Sequence, residues 1–148
     1  MAKLYILCGL PGSGKSHVAD DLQRKTGAVL ISTDRIRFQL FGDESSQEDN
    51  CKVFDTAYRR IYSAGRKGRD VIFDATNLTK NSRLELIQKF RGMEAVIVCC
   101  DTPYEVCCER NHCRQRVVPD YVMERMRVNW EPPTEAEAKV IVIKYTEA

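Results

Sequence analysis

The sequence predicts an α/β fold built on a parallel sheet. Five short apolar runs rich in β-branched residues alternate with segments of helical periodicity, as in strands joined by crossover helices. The runs lack polar alternation, which is typical of strands covered on both faces. A glycine-rich turn after the first run, Gly9–Ser16, indicates the same fold class. The predicted strands are Leu4–Cys8, Ala28–Ser32, Val71–Asp74, Ala95–Cys100 and Val140–Ile143.

Apolar spacing predicts five helices between these strands. In the first, Val18 and Leu22 are four residues apart, so they share the face that packs on a core. The polar stretch Gly42–Gln47 and the proline-containing Glu131–Thr134 are predicted to be irregular. The predicted helices are Ser16–Lys25, about Glu48–Arg66, Lys80–Phe90, Pro103 to about Asn111, and Pro119–Trp130.

Length and charge narrow the class of protein. The chain has 148 residues, which predicts a single domain over residues 1–148. A hydrophobic share of 43% excludes a disordered chain, and a net charge of +2 excludes a protein that coats nucleic acid through overall charge. The longest uncharged run, Leu4–Gly14, holds 11 residues, whereas a membrane-spanning helix needs about 20. We therefore expect no membrane insertion.

The cysteines indicate a reducing compartment. There are seven, an odd number, and their spacing does not resemble a disulfide framework. A cytoplasmic location is therefore expected. Structural zinc is not expected, because the one cluster of thiols and imidazole has no paired C-x-x-C. That cluster is Cys107, Cys108, His112 and Cys113.

The segment Gly9–Ser16 reads Gly-Leu-Pro-Gly-Ser-Gly-Lys-Ser and matches the phosphate-binding pattern G-x-x-x-x-G-K-[ST] in full. Glycines allow backbone amides to approach phosphate closely, and the following helix directs its positive end at the anion. Lys15 supplies charge to the β- and γ-phosphates, and the Ser16 hydroxyl is suited to Mg²⁺. No Asn-Lys-x-Asp guanine-reading sequence occurs, which favours ATP. The predicted nucleotide-binding residues here are Gly9, Gly12, Ser13, Gly14, Lys15 and Ser16.

Acidic and basic side chains follow the second predicted strand. Asp34 comes directly after this strand, and ligands of α/β sheets bind beyond the carboxyl ends of strands. A carboxylate there can accept the proton of an attacking hydroxyl, and Arg37, three residues on, can clamp an acceptor phosphate. A helix-capping aspartate beside a solvated arginine explains the spacing equally well.

The third predicted strand also ends in an acid, Asp74, the usual form of a carboxylate facing a bound metal ion. Thr76 and Asn77 follow and would contribute polar side chains to substrate binding at the same edge. An Asp-initiated turn is the alternative reading.

Two arginine-rich segments remain. A segment at about residues 110–119 contains Arg110, Arg114 and Arg116, and such a segment could serve as a lid that neutralises charge on a transferring phosphoryl group. A solvated basic turn is the alternative. The run from Arg59 to Arg69 contains no acid and has tyrosines nearby, so it could follow a nucleic-acid backbone. Such a pattern is more typical of the exposed face and end of a helix, and we favour that explanation.

Taken in order, these motifs resemble one family. The chain resembles the 5′-kinase domains of the bacteriophage polynucleotide kinase type, within the wider group of small P-loop kinases, over roughly residues 3–130. The resemblance implies a sheet ordered 2-3-1-4-5 and a lid bearing arginine. The motifs that carry it are Gly9–Ser16, Asp34-x-x-Arg37, Ala75-Thr76-Asn77-Leu78, Asp101-Thr102-Pro103 and Arg110-Asn111-x-x-Arg114.

The resemblance also implies residue roles. Asp34 would act as general base on a 5′-hydroxyl, Arg37 would bind the phosphate beside the acceptor nucleoside, and Arg114 would contact ATP phosphates from the lid. The sequence departs from the phage pattern at Ala75, where the phage protein has Asp, so that the acid here is Asp74. The lid is also one residue shorter, which makes Arg116 a second candidate for its main arginine.

The expected function is ATP- and Mg²⁺-dependent phosphoryl transfer to the 5′-hydroxyl end of DNA or RNA. A P-loop kinase acting on a sugar, sugar nucleotide or nucleoside is the alternative, since only the acceptor pocket would differ. A non-catalytic ATP-binding protein is a third reading. The sequence does not specify an oligomeric state.

Overall fold

The computed structural model describes residues 1–42, 50–114 and 117–145. Most of the predicted Gly42–Gln47 loop lies outside these ranges, as does Arg116. The five strands are β1 (Lys3–Cys8), β2 (Val29–Ser32), β3 (Val71–Asp74), β4 (Glu94–Asp101) and β5 (Lys139–Lys144). The helices are α1 (Lys15–Thr26), α2 (Thr33–Phe41), α3 (Asn50–Arg66), α4 (Lys80–Lys89), α5 (Tyr104–His112) and α6 (Asp120–Asn129).

The five strands form one parallel sheet in the order β2-β3-β1-β4-β5. This confirms the predicted fold class and strand order. In the central strand, Leu4 pairs with Val71 of β3 on one side and with Ala95 of β4 on the other. The carboxyl ends of β1, β2 and β3 therefore lie along one edge, which is where the predicted site residues follow them.

Helices cover both faces of the sheet. On one face, α3 packs through Val53, Ala57 and Ile61, which are fully buried against strand residues such as Phe73. On the other face, α1 packs through Ala19 with Val18 and Leu22, as their spacing predicted. Apolar strands sandwiched in this way read as continuous hydrophobic runs. No helix among the described residues is long and apolar enough to cross a membrane.

The prediction that Val140–Ile143 is covered on both faces is wrong. β5 is the edge strand of the sheet, and Ile141, Val142 and Ile143 are 39–49% exposed. Its apolar run pairs with β4 on one side, and no other described element pairs with the opposite side. Continuous hydrophobicity therefore indicated a strand correctly but its burial incorrectly.

The helix α2 was not among the helices predicted from apolar periodicity. It begins directly after β2. The Ser32 side chain caps it by accepting a hydrogen bond from the Arg35 amide at 3.3 Å, and Gly42 ends it at a positive φ of 73°. This tight strand-to-helix junction places Asp34 in the first helical turn.

A buried ion pair joins the chain after β3 to the segment before β5. The Arg83 guanidinium donates to Glu137 at 2.8 Å, and the two side chains are 0% and 1% exposed. Arg83 also donates to the Asn77 carbonyl at 2.9 Å and to the Leu78 carbonyl at 3.2 Å. These bonds fix the loop that follows β3 at the edge of the sheet.

Candidate active site

The loop between β1 and α1 has the conformation that phosphate binding requires. Gly9, Gly12 and Gly14 all have positive φ, at 152°, 83° and 98°. A Cβ at Gly12 would lie 2.4 Å from the Cys107 carbonyl oxygen, so the loop is packed too closely there for any side chain. Gly14 precedes α1 and no side chain caps that helix, which leaves its first amides available to an anion.

Lys15 lies at the centre of the loop. Its Nζ donates to the Gly9 carbonyl at 3.0 Å and to the Leu10 carbonyl at 2.9 Å. Burial lowers the pKa of Lys15, and the Asp74 carboxylate acts most strongly in the opposite direction. A buried ammonium group at this position gains from the approach of a polyanion.

Neutral thiols pack beneath the loop. Burial raises the pKa values of Cys100 and Cys107 to about 11. The Cys107 thiol is directed to the Thr102 carbonyl at 3.7 Å, and Thr102 in turn donates to the Ser13 carbonyl at 2.9 Å. These groups therefore support the loop without adding negative charge below a phosphate site.

Ser16 and Asp74, the two residues predicted to bind metal, lie together. The Ser16 hydroxyl is 3.5 Å from Asp74 Oδ2 although the residues are 58 positions apart. Burial raises the pKa of Asp74, with the nearby Lys15 charge opposing this effect. A hydroxyl and a carboxylate are ligands that Mg²⁺ accepts, so these two residues fit the ion that the sequence implied.

Asp34 and Arg37 form an ion pair that lines the same cleft as the loop. Arg37 Nη1 donates to Asp34 Oδ1 at 3.1 Å, and Arg37 Nη2 donates to Asn50 Oδ1 at 2.9 Å. The Arg37 side chain is 7% exposed whereas that of Asp34 is 41% exposed. The arginine is thus held in place from both sides, while the carboxylate faces the cleft. Sequence reasoning missed Asn50, which is 13 residues from Arg37 and lies next to the polar loop.

Thr76 and Asn77 have different environments. Thr76 lines the cleft, and its carbonyl accepts a hydrogen bond from the Gly9 amide at 3.0 Å. The Asn77 side chain is turned into the protein, where it donates to the Leu7 carbonyl at 2.6 Å, and its φ is 43°. The position of Thr76 suits the predicted contact with substrate, whereas the described contacts of Asn77 are structural.

Two of the three predicted lid arginines lie at the cleft. Arg110 donates to the Gly12 carbonyl at 3.3 Å, and its guanidinium lies 5.3 Å from the centre of the Tyr145 ring. Arg114 also lines the cleft. Arg116, the alternative main arginine, is outside the described residues.

The base of the predicted lid is closed by Asn111, which sequence reasoning did not single out as functional. Its side-chain amide donates to the Val118 carbonyl at 2.7 Å and accepts from the Val118 amide at 2.9 Å. Asn111 is fully buried, and these two bonds bring together residues seven positions apart. Its position between Arg110 and Arg114 could have identified Asn111 as a candidate, but nothing in the sequence indicated that its side chain is buried.

One cleft of about 430 Å³ contains most of the predicted site. His17 and Met126, which were not among the predicted site residues, also line it. Of the predicted residues, those that line the cleft are Gly12, Gly14, Lys15, Ser16, Asp34, Arg37, Asp74, Thr76, Arg110 and Arg114.

Comparison with known proteins assigns the family. A family model named AAA_33 and described as an AAA domain matches residues 4–133. The chain belongs to this family. The match includes the phosphate loop, the Asp34–Arg37 pair and both described lid arginines.

Solved structures with the same fold include kinases. A presumed kinase from Chloroflexus aurantiacus superposes with a TM-score of 0.79 at 17% identity, over 97% of this chain and 85% of that one. The adenosine phosphosulfate (APS) kinase CysC of Mycobacterium tuberculosis, in complex with AMPPNP and APS, has a TM-score of 0.70 at 20% identity, over 99% and 90%.

A structure of the Pnkp1/Rnl/Hen1 RNA repair complex contains a further chain of this fold. It superposes with a TM-score of 0.77 at 24% identity, over 86% of this chain but 43% of that one. At these identities the likeness shows the P-loop kinase fold alone and leaves the reaction and the acceptor unassigned.

Proposed function

We propose that this protein is a kinase that transfers the γ-phosphoryl group of ATP to the 5′-hydroxyl of a polynucleotide. The observation that carries the proposal is the arrangement of the cleft. A phosphate-binding loop, a Ser16–Asp74 pair and an Asp34–Arg37 pair all line the same cleft.

The donor half binds the triphosphate. Amides of the loop and the start of α1 would hold the phosphates, and Lys15 would bind the β- and γ-oxygens. Ser16 and Asp74 would hold Mg²⁺, which neutralises charge on these oxygens when bound. Asp74 must be ionised for this role, and the Lys15 ammonium favours that form.

The acceptor half prepares the hydroxyl. Asp34 would accept the proton from the 5′-hydroxyl while the hydroxyl oxygen forms a bond to the γ-phosphorus. At the same time the bond from the γ-phosphorus to the β–γ bridging oxygen breaks, which releases ADP. Arg37 would bind the phosphate on the 3′ side of the acceptor nucleoside. Its fixed guanidinium suits a phosphate because its donors form a planar fork.

The lid would act on the transferring group. Arg114 reaches the cleft from the segment closed by Asn111, and a guanidinium there can stabilise charge that develops on the equatorial oxygens. Arg110 contacts the loop itself through the Gly12 carbonyl and is suited to holding loop and lid together.

A small-molecule acceptor is the second candidate. It is favoured by the likeness in fold to an APS kinase, because Arg37 would bind an anionic group on a metabolite as well as one on a nucleic acid. A sugar, a sugar nucleotide or a nucleoside would enter the same cleft and meet the same Asp34.

The test is transfer from radiolabelled ATP to 5′-hydroxyl oligonucleotides, beside a panel of sugars, nucleosides and nucleoside 3′-phosphates. We expect transfer to oligonucleotides and to nucleoside 3′-phosphates, with little to nucleosides lacking the phosphate.

Arg37→Met should remove this preference, raising KM for phosphorylated acceptors about a hundredfold, as expected for loss of a charge-assisted bidentate contact. Efficient transfer to a sugar with none to oligonucleotides would contradict the proposal.

A further inference from the structure

One exposed face of α3 is basic over its second half. Residues at spacings of three and four share a face of a helix, and Arg59, Tyr62 and Arg66 follow this spacing with exposed side chains. Lys67 continues the same face just beyond the helix end. We call Arg59, Tyr62, Arg66 and Lys67 the α3 ridge. The chain contains no acid between residues 59 and 69, so the ridge itself carries no negative charge, and the preceding acid on α3 is Asp55, one turn before Arg59.

The opposite face of α3 fixes the orientation of the ridge. Val53, Ala57 and Ile61 are fully buried against the sheet, and the helix cannot turn without exposing them. Arg60 is directed elsewhere, since it donates to Gln39 of α2 at 3.0 Å. The cations of the ridge therefore lie permanently on the outer surface.

The ridge lies on the same helix as one residue of the acceptor side of the cleft. Asn50, the first residue of α3, accepts a hydrogen bond from Arg37, the residue proposed to bind the acceptor phosphate. A rise of 1.5 Å per residue places Arg59 and Arg66 about 14 and 24 Å along the helix from that point. A strand that leaves the cleft past the start of α3 and crosses to the outer face of the helix would meet them in turn.

An aromatic surface accompanies the charges. The Tyr62 side chain is 60% exposed, and the Arg66 guanidinium lies 5.8 Å from its ring centre. Beside them, a hollow of about 180 Å³ is lined by Phe90 and Met93. Exposed aromatic rings interleaved with arginine are the features on which single-stranded bases stack without sequence preference.

We propose that the α3 ridge binds the single-stranded polynucleotide downstream of the nucleotide whose 5′-hydroxyl is in the cleft. The proposal rests on the proposed function and extends it, because it makes the enzyme sensitive to acceptor length. Short acceptors would use the cleft alone, and longer ones would gain affinity from phosphates on Arg59, Arg66 and Lys67 and from stacking on Tyr62.

The experiment compares a 5′-hydroxyl dinucleotide with a single-stranded 20-mer as acceptors for the wild type and for Arg59→Gln/Arg66→Gln. We expect kcat/KM for the 20-mer to fall about tenfold in the variant, and its dependence on salt to weaken by about 0.7 in log–log slope per lost contact. For the dinucleotide, kcat/KM should stay within twofold of the wild type.

A matched control is Arg24→Gln/Lys25→Gln, which removes the same charge from the end of α1 on the other face of the sheet. It should leave the length preference unchanged. Equal loss in both double variants, or no loss in the ridge variant, would overturn the ridge while leaving the kinase proposal intact. No transfer by the wild type to either acceptor would overturn the kinase proposal and the ridge with it.

Discussion

At the scale of single residues, the proposed function gives Asp34 and Arg37 separate roles, in proton transfer and in binding. The two side chains share one hydrogen bond of 3.1 Å but differ in exposure, at 41% for Asp34 and 7% for Arg37. Arg37 has a second fixed partner in Asn50, so its position does not depend on Asp34 alone. A change at residue 34 that keeps an oxygen there should therefore affect proton transfer and leave the arginine in place.

Asp34→Asn is such a change. We expect kcat to fall about 10²–10⁴-fold, because an amide cannot accept the hydroxyl proton, whereas ATP affinity should change little. Single-turnover rates with labelled ATP and titration with a fluorescent ATP analogue measure the two quantities.

Asp20→Asn is a suitable control. Asp20 also pairs with an arginine of α2, since it accepts from Arg35 at 3.2 Å, but both side chains are more than half exposed. It should retain wild-type turnover. Near-normal turnover in Asp34→Asn would show that Asp34 is not the base.

At the scale of elements, the phosphate loop depends on close backbone packing against α5. Gly12 has a positive φ, and a Cβ at this position would lie 2.4 Å from the Cys107 carbonyl oxygen. The loop cannot yield at this point without moving α5, which also carries Arg110 and Asn111. The loop and α5 are therefore packed as one unit.

Gly12→Ala should abolish ATP binding. Gly68→Ala is its control. Gly68 has a similar φ of 72°, but a Cβ at this position would have no other atom within 4 Å. Both variants incur backbone strain of about 1–2 kcal/mol, but only the first has the clash. ATP-induced shifts in Tm should vanish in Gly12→Ala and persist in Gly68→Ala; equal shifts in both would mean that loop packing is not required.

The predicted lid is held at its base by the side-chain amide of Asn111, which is buried. Asn111→Ala would leave the amide and carbonyl of Val118 without their side-chain partner, at about 1–3 kcal/mol for each buried group. We expect lower stability in urea unfolding and a fall in kcat larger than the change in ATP affinity. Asn111→Asp keeps the acceptor but places a buried carboxylate oxygen against the Val118 carbonyl, so at neutral pH it should be at least as destabilising as Asn111→Ala. If both variants turn over like the wild type, Asn111 does not hold the predicted lid.

At the scale of the whole molecule, the Arg83–Glu137 pair links the site-bearing edge of the sheet to the segment before β5. Burial acts to raise the pKa of Glu137, but hydrogen bonds from Arg83 and the Thr134 amide outweigh it and hold that pKa below its usual range. The folded protein thus binds a proton here less readily than the unfolded chain does. This stabilisation is complete above the ordinary glutamate pKa and is lost as pH falls through the depressed one.

Glu137→Gln should therefore destabilise the fold by about 3–5 kcal/mol at neutral pH, since it leaves Arg83 charged and buried without its counter-ion. The difference from the wild type should shrink as the solution is acidified below the usual range of glutamate. Urea unfolding at a series of pH values measures this; a constant difference would mean that the charge of Glu137 is not what stabilises the fold.

The sequence predicted most of the cleft because glycines, strand ends and charges carry local signals, whereas the strand order was implied by the resemblance to a known family. Gly9–Ser16 is recognisable from spacing alone, and Asp34 and Asp74 follow strands directly. Asn50, Asn111 and Glu137 were not identified, because their roles depend on partners 7 to 54 residues away that no local pattern indicates. The exposure of β5 was missed for the same reason, since burial depends on which neighbours the topology supplies.

The exposed outer margin of β5 has a practical consequence. Its four β-branched residues would favour edge-to-edge stacking between molecules, and the lysines that bracket them, Lys139 and Lys144, oppose it by mutual repulsion. Salt screens such repulsion, so concentrated samples should remain monodisperse best at low ionic strength. Removing either lysine would promote fibrous precipitation even though neither one contributes to the chemistry of the cleft.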